Sequence, residues 1–202
     1  MWIIGMANRG HETMSMNAET VDRKEAAPAM TIVPTLMTER LILRSHRLED
    51  FEEYAVFWTQ EDLVRYIGGE TSTREQAWSR LLRYAGMWHY LGFGFFAVEE
   101  RHSGRFIGEV GFLDLHRDMS PTTTEGTLEA GWGITPALHG RGYATEAVSA
   151  AIAWADDKFA GRRMTCIVDP ENTPSLRVAE KVGFRRIGEV FYKDKPNVMF
   201  ER

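Results

Sequence analysis

The sequence predicts a single α/β domain with helices laid on a sheet, and three observations predict it. Its 202 residues are 44% hydrophobic and 26% charged, enough for one domain with a full core. Leu128, Ala130, Trp132 and Ile134 alternate with Glu129, Gly131 and Gly133, the period of a half-buried strand. Beyond a loop holding Gly140 and Gly142, Ala147, Ala151 and Trp154 recur at helical spacing, with Val148, Ile152, Ala155 and Phe159 beside them. That pattern marks a helix over about 142–159 that lays a small-residue stripe on the sheet.

The other elements follow in chain order. Residues 1 to about 35 mix charges, alanines and methionines without periodicity, and Trp2-Ile3-Ile4 is too short for a signal peptide. A disordered tail or an over-extended start is expected there, with a partner-binding arm as the alternative, and the domain over 36–202. A short strand runs from Leu41 to about Arg44. Leu48-Glu49-Asp50 opens a helix carrying Phe51, Tyr54, Ala55 and Trp58 on one side, and a second short helix covers about 61–67, stopping at Gly68-Gly69. Thr73 and Gln76 have capping-box spacing, opening a helix through Trp78, Leu81, Leu82, Ala85 and Trp88. Three antiparallel strands are expected at 93–100, 105–115 and 128–134, with a turn at His102-Ser103-Gly104 and a polar loop over 117–126. After the 142–159 helix come a strand at 163–168, a helix from about Pro174 to Val182, and strands at 184–192 and 197–202. Pro174 suits a first turn behind Asn172 or Thr173 as cap, and Gly183 suits the stop.

Composition narrows the function. A net charge of −5 argues against a general nucleic-acid binder and is compatible with cationic amine substrates. No apolar run approaches the roughly 20 residues that span a membrane. The single cysteine, Cys166, excludes an internal disulfide framework and reads as a buried strand residue in a reducing, cytoplasmic compartment. The six histidines lack metal-ligand spacing, so no metal site is expected.

The start of the 142–159 helix leaves backbone N–H groups without internal partners and adds partial positive charge. Gly140 and Gly142 let the chain turn sharply beside a bound anion, so the loop reads either as a pyrophosphate cradle or as an ordinary tight turn. It has no Gly-Lys-Ser/Thr ending, and Thr145 stands where a dinucleotide fingerprint has its third glycine.

His139-Gly140-Arg141-Gly142-Tyr143-Ala144 resembles the Gln/Arg-x-x-Gly-x-Gly/Ala signature of the acetyl-CoA-dependent N-acetyltransferases of the GNAT superfamily, with His139 in place of Gln or Arg. The run from Asp169 through Asn172 and Ser175 to Gly183-Phe184 looks like the second family motif. Thr38-Glu39-Arg40-Leu41-Ile42-Leu43-Arg44 is similar to the opening strand of the ribosomal-protein N-terminal acetyltransferase (Rim-type) branch. The resemblance covers about residues 36–202. It implies a GNAT-like mixed, mostly antiparallel sheet flanked by helices, in which the strand ending at Ile134 splays from a central parallel neighbour at 163–168, and it implies that acetyl-CoA is the co-substrate.

Site residues follow from the same resemblance. Pyrophosphate falls to Gly140, Arg141, Gly142, Tyr143, Ala144 and Thr145, with His139 beside them, chiefly through main-chain N–H groups. Unpaired backbone at Gly133 and Ile134 would take the pantetheine and polarise the acetyl carbonyl. Asn172 is a pantetheine ligand or a helix cap. The tyrosine that many members carry seven residues later is Ala179 here, so Ser175 is the expected donor to the leaving thiolate, with Tyr192 as the alternative. Glu129, read as lying on an open face, is the expected base and Glu109 the second choice. Tyr66, Trp88 and Tyr90 line an acceptor groove or pack in the core. The expected activity is acetyl transfer to a primary amine, either a protein N-terminus or a small molecule. A CoA-binding module that senses acyl-CoA without turnover is the rival. No nucleic-acid or membrane partner is expected, and a homodimer stays open.

Overall fold

The computed structural model describes residues 32–202, so the expectation of a tail falls, up to residue 31, outside the described residues. The chain runs β1 (Leu36–Met37), β2 (Leu41–Arg44), α1 (Phe51–Phe57), α2 (Glu61–Val64), α3 (Arg74–Leu91), β3 (Phe95–Glu100) and β4 (Phe106–Leu113). It continues through β5 (Met119–Ser120), β6 (Leu128–Ile134), α4 (Tyr143–Lys158), β7 (Met164–Val168), α5 (Thr173–Lys181), β8 (Arg185–Tyr192) and β9 (Lys195–Glu201). Strands order as β1-β2-β3-β4-β6-β7-β9-β8-β5, and only β6 and β7 are parallel. This is the mixed, mostly antiparallel α/β sheet that the family resemblance implies. The two-residue strands β1 and β5 are additions, too short to carry a period.

The parallel pair positions everything functional. Its register holds only Leu128 against Met164 and Glu129 against Thr165. On its other edge β6 stays paired with β4 as far as Ile134. From Ala130 onward β6 and β7 therefore part, and the sheet opens in its middle.

Each face of the sheet has its own apolar layer. On one, Ala147, Ala151 and Ala155 of α4 pack fully buried against Leu128, Ala130 and Ile134. The alanines allow that close approach, and enlarging one would cost about 1–3 kcal/mol in displaced neighbours. On the other face α1 and α3 bring Tyr54, Phe57, Trp58, Leu81, Tyr84 and Met87 onto β3 and β4. The glycines of β6 belong to this second contact: a Cβ on Gly131 would stand 2.8 Å from the Phe95 ring, and one on Gly133 3.2 Å from Phe57.

The α3 cap forms as its spacing implies, with the Gln76 N–H donating to Thr73 Oγ1 at 3.2 Å and the Thr73 N–H to Gln76 Oε1 at 2.8 Å. Its buried stripe is Leu81, Tyr84, Met87 and Trp88, whereas Leu82 is exposed and Tyr90 is 83% exposed. No helix among the described residues is long and apolar enough to cross a membrane.

Candidate active site

The loop after β6 turns through Gly140 at φ 76° and Gly142 at φ 81°, left-handed conformations that favour glycine. Gly142 precedes α4 without any side-chain cap. Glu146 is the first residue of the helix whose N–H finds an acceptor inside it, the Gly142 carbonyl at 3.0 Å. The N–H groups of Tyr143, Ala144 and Thr145 stand ahead of that bond at the positive end of the helix dipole. This is the donor set that an anion such as pyrophosphate takes.

A carboxylate in the first turn, Glu146, would repel such an anion, and the structure ties it down. Its Oε1 accepts from Thr38 Oγ1 at 2.6 Å and the Arg40 N–H at 2.9 Å, and its Oε2 accepts from Arg40 Nε at 2.7 Å. Burial pushes the Glu146 pKa up, but Thr38 and Arg40 outweigh it and hold the group below its ordinary value. Arg40 also donates to the Arg141 carbonyl at 2.9 Å and lies 4.4 Å over the Tyr143 ring. The Tyr143 hydroxyl donates to Glu100 at 2.6 Å, so its side chain serves the fold and only its main chain is left for a ligand. His139 has a structural role: its Nε2 donates to the Ile134 carbonyl at 2.7 Å, closing the loop onto the strand end.

A cleft of about 370 Å³ opens where β6 leaves β7, and Glu109, Glu129, Gly133, Asn172, Ser175 and Tyr192 all line it. His139 to Thr145 lie past the end of β6, at the start of α4. Main-chain direction corrects one expectation. The Leu128 N–H reaches the Arg163 carbonyl on the β7 side and the Thr135 N–H reaches Ile107 on the β4 side. Alternation between them turns the N–H and C=O of Trp132 and Ile134 toward the opening, and those of Gly133 toward β4. The main chain that faces the opening is thus that of Trp132 and Ile134, and that of Gly133 faces β4.

Asn172 is the cap of α5, its Oδ1 accepting the Ser175 N–H at 3.2 Å, which leaves Nδ2 for a ligand. Glu129 is not on an open face. It is 3% exposed, and Arg117 grips both oxygens, Nη2 to Oε1 at 2.9 Å and Nε to Oε2 at 3.2 Å. Thr124 adds a third donor at 2.6 Å. The loop between β4 and β6 folds back over it, since β5 pairs Met119 with Tyr192 and Arg117 lies 4.6 Å over the Tyr192 ring. Burial works against the charge on Arg117, yet Glu129 raises its pKa overall.

Glu109 is differently placed. It sits opposite Gly133 in the β4–β6 register, while Glu129 sits opposite Leu113. Four strand positions separate them, about 13 Å. Glu109 is 2% exposed, and its Oε1 accepts from the Tyr84 hydroxyl at 2.7 Å. Burial and the Glu109 charge push the Tyr84 phenol well above its ordinary pKa, so it stays a donor. Glu109 Oε2 has no hydrogen-bond partner, and neither do the nearby buried His46 Nε2, Tyr54 hydroxyl and Trp58 Nε1.

Of the groove aromatics, Tyr66 lines the cleft, Trp88 packs on Trp154 at 5.4 Å in the core, and Tyr90 points to solvent. Cys166 is fully buried, with burial first and then the Glu129 charge raising its pKa, so no thiolate nucleophile is available. Among the described residues no group of three or more His, Cys, Asp or Glu could hold a metal. Sequence reasoning missed Arg40, Arg117, His46 and Tyr84. Only Arg40 left a signal, inside the Thr38-Glu39-Arg40 motif.

The family model for an acetyltransferase (GNAT) domain matches residues 40–185, which takes in the cradle, the cleft and Asn172 to Ser175. The chain belongs to the GNAT acetyltransferase family. It is 28% identical over 158 residues to the uncharacterized N-acetyltransferase YnaD of Bacillus subtilis, covering 78% of this chain and 85% of that protein. A GnaT-family structure from Bordetella pertussis superposes with a TM-score of 0.75 at 32% identity, over 84% of this chain and 99% of the other. The Rim-type likeness is one of fold: RimL, a ribosomal L7/L12 alpha-N-protein acetyltransferase in complex with coenzyme A, gives a TM-score of 0.68 at 12% identity, over 84% and 97% of the chains. This GNAT chain is an acetyl-CoA-dependent acetyltransferase.

Proposed function

We propose that this GNAT-family enzyme moves the acetyl group of acetyl-CoA to a primary amine, on a protein N-terminus or a small molecule, that enters the cleft between β6 and β7 with Glu109 as its base. The pairing of Glu109 with Gly133, in the stretch of β6 that has already parted from β7, carries the reading. The N–H groups of Tyr143 to Thr145, with Gly140 to Gly142 turning the loop, receive the pyrophosphate. The pantetheine lies along β6 against the main chain of Trp132 and Ile134, with Asn172 Nδ2 across the opening. That RimL, of the same fold, is seen with coenzyme A supports coenzyme A as the ligand.

The amine nitrogen attacks the thioester carbonyl, forming the C–N bond, while main-chain N–H groups of β6 stabilise the developing oxyanion. The proton shed by nitrogen passes to Glu109 Oε2, directly or through one water. The C–S bond then breaks, with Ser175 Oγ donating a hydrogen bond to the departing thiolate. Glu129, with both oxygens engaged by Arg117 and Thr124, holds the far wall of the cleft instead of taking the proton.

The test is release of CoA thiol in the presence of acetyl-CoA and a panel of N-terminal peptides and small amines. Acceptor-dependent release that is lost in Glu109→Gln is expected; acceptor-dependent release unchanged in that variant would overturn the base assignment.

A further inference from the structure

Glu109 gives the inner end of the cleft a carboxylate oxygen with no hydrogen-bond partner, but cations outnumber the lining carboxylates, which are Glu109, Glu129 and Asp169. Arg65, Arg80, Arg83, Arg117, Lys193 and Lys195 line the cleft, in a chain whose net charge is −5. Two of these cations are neutralised: Arg117 by Glu129 at 2.9 Å and Arg65 by Asp62 at 2.8 Å. The other four have no carboxylate partner among the described residues. Arg80 lies 3.5 Å over the Trp58 ring and Arg83 5.8 Å from the Tyr84 ring, both on α3. Lys193 lies in the β8–β9 turn and Lys195 opens β9. Lys195 Nζ reaches within 3.3 Å of where a Cβ on Gly69 would stand, so that turn approaches the segment after α2 across the mouth. Cations from both walls of a cleft focus a positive field on whatever enters it.

We infer that the acceptor carries a carboxylate beside its amine, with the amine directed inward to Glu109 and the carboxylate held at the rim by Arg80, Arg83 and Lys195. This rests on the reading of Glu109 as the inner anchor. It also departs from the reading, drawn from net charge alone, that the chain is compatible with cationic amine substrates. Net charge is a sum over the whole surface, whereas selection happens in the field of one cleft.

The experiment compares acceptors matched except for charge: an amino acid with its carboxamide, and peptides of one sequence bearing Asp, Asn or Lys at the second position. The carboxylate member of each pair should have a kcat/KM about tenfold above the neutral one, and the cationic member should be lowest, with the gap narrowing as salt rises. Arg83→Glu and Lys195→Glu, both at exposed positions, should each cut the carboxylate preference about fivefold and together reverse it. Equal rates across a pair, or preference for the cationic member, would overturn the inference while leaving acetyl transfer intact. Charge swaps that raise the KM for acetyl-CoA and leave acceptor preference unmoved would assign the rim to the CoA phosphates, and the inference falls. If no amine is acetylated while acetyl-CoA still stabilises the fold, both this inference and the proposed function fall together.

Discussion

Glu109 Oε2 and His46 Nε2 face each other at 3.7 Å with no hydrogen bond between them or to anything else. Two buried polar atoms left without partners are costly to a fold unless a ligand or water completes them. Glu109 lines the adjoining cleft beside the open end of β6, so a ligand entering there could supply such a partner.

The two carboxylates should therefore behave differently when neutralised. Glu109→Gln is expected to keep the fold and lower kcat/KM by about 10² to 10⁴. Glu129→Gln leaves Arg117 buried without its counter-charge and should cost about 3 kcal/mol of stability. Urea unfolding and steady-state rates on both variants decide it; a stable Glu129→Gln that has lost turnover would return the base to Glu129.

Gly142→Val tests the cradle through its backbone. Space beside Gly142 is open, with Arg40 Nη2 the nearest atom at 3.5 Å, but φ is 81°. A β-branched residue there costs about 1–2 kcal/mol and pulls the loop out of the left-handed region. The melting temperature should fall modestly, and the stabilisation by acetyl-CoA should disappear. An undiminished ligand shift would place the phosphates elsewhere.

Arg40→Gln should free the Glu146 carboxylate at the head of α4. The expected result is a rise in the KM for acetyl-CoA of about tenfold, with kcat little changed. Adding Glu146→Gln should recover most of the loss, an outcome that simple misfolding would not produce.

Ser175→Ala removes one hydroxyl but keeps the N–H that Asn172 caps, so α5 should be undisturbed. Turnover is expected to fall about tenfold to a thousandfold at unchanged acetyl-CoA affinity. Full activity with chemistry rate-limiting would move the donor role to Tyr192, tested as Tyr192→Phe.

Acid should unfold the protein partly through Asp50. Burial pushes its pKa up, but two bonds from Arg44, at 2.7 and 2.8 Å, and the Arg47 N–H at 2.7 Å prevail and depress it. A depressed folded pKa gives stability that is complete above the ordinary carboxylate value of about 4 and is lost as pH falls through the lower folded value. Melting temperatures between about pH 5 and pH 2 should fall more steeply in the parent than in Asp50→Asn, which lacks that titration.

What the sequence determined by itself was local. The alternation over 128–134 is β6 as observed, Thr73 and Gln76 close the α3 box, the alanines of 147, 151 and 155 face the sheet, and Asn172 with Pro174 starts α5. Periodicity, caps and left-handed glycines act within a few residues, so they can be read without knowing the fold. The choice between Glu109 and Glu129 could not be. It depends on Arg117 and Thr124 being folded back over one carboxylate and on His46 being left beside the other. In the same way the Arg40 hold on Glu146 spans 106 residues, and the turning of Gly133 toward β4 is known only once its neighbours' hydrogen bonds are assigned. A carboxylate's availability depends on which donors surround it, and donors distant in sequence are brought there by tertiary packing alone.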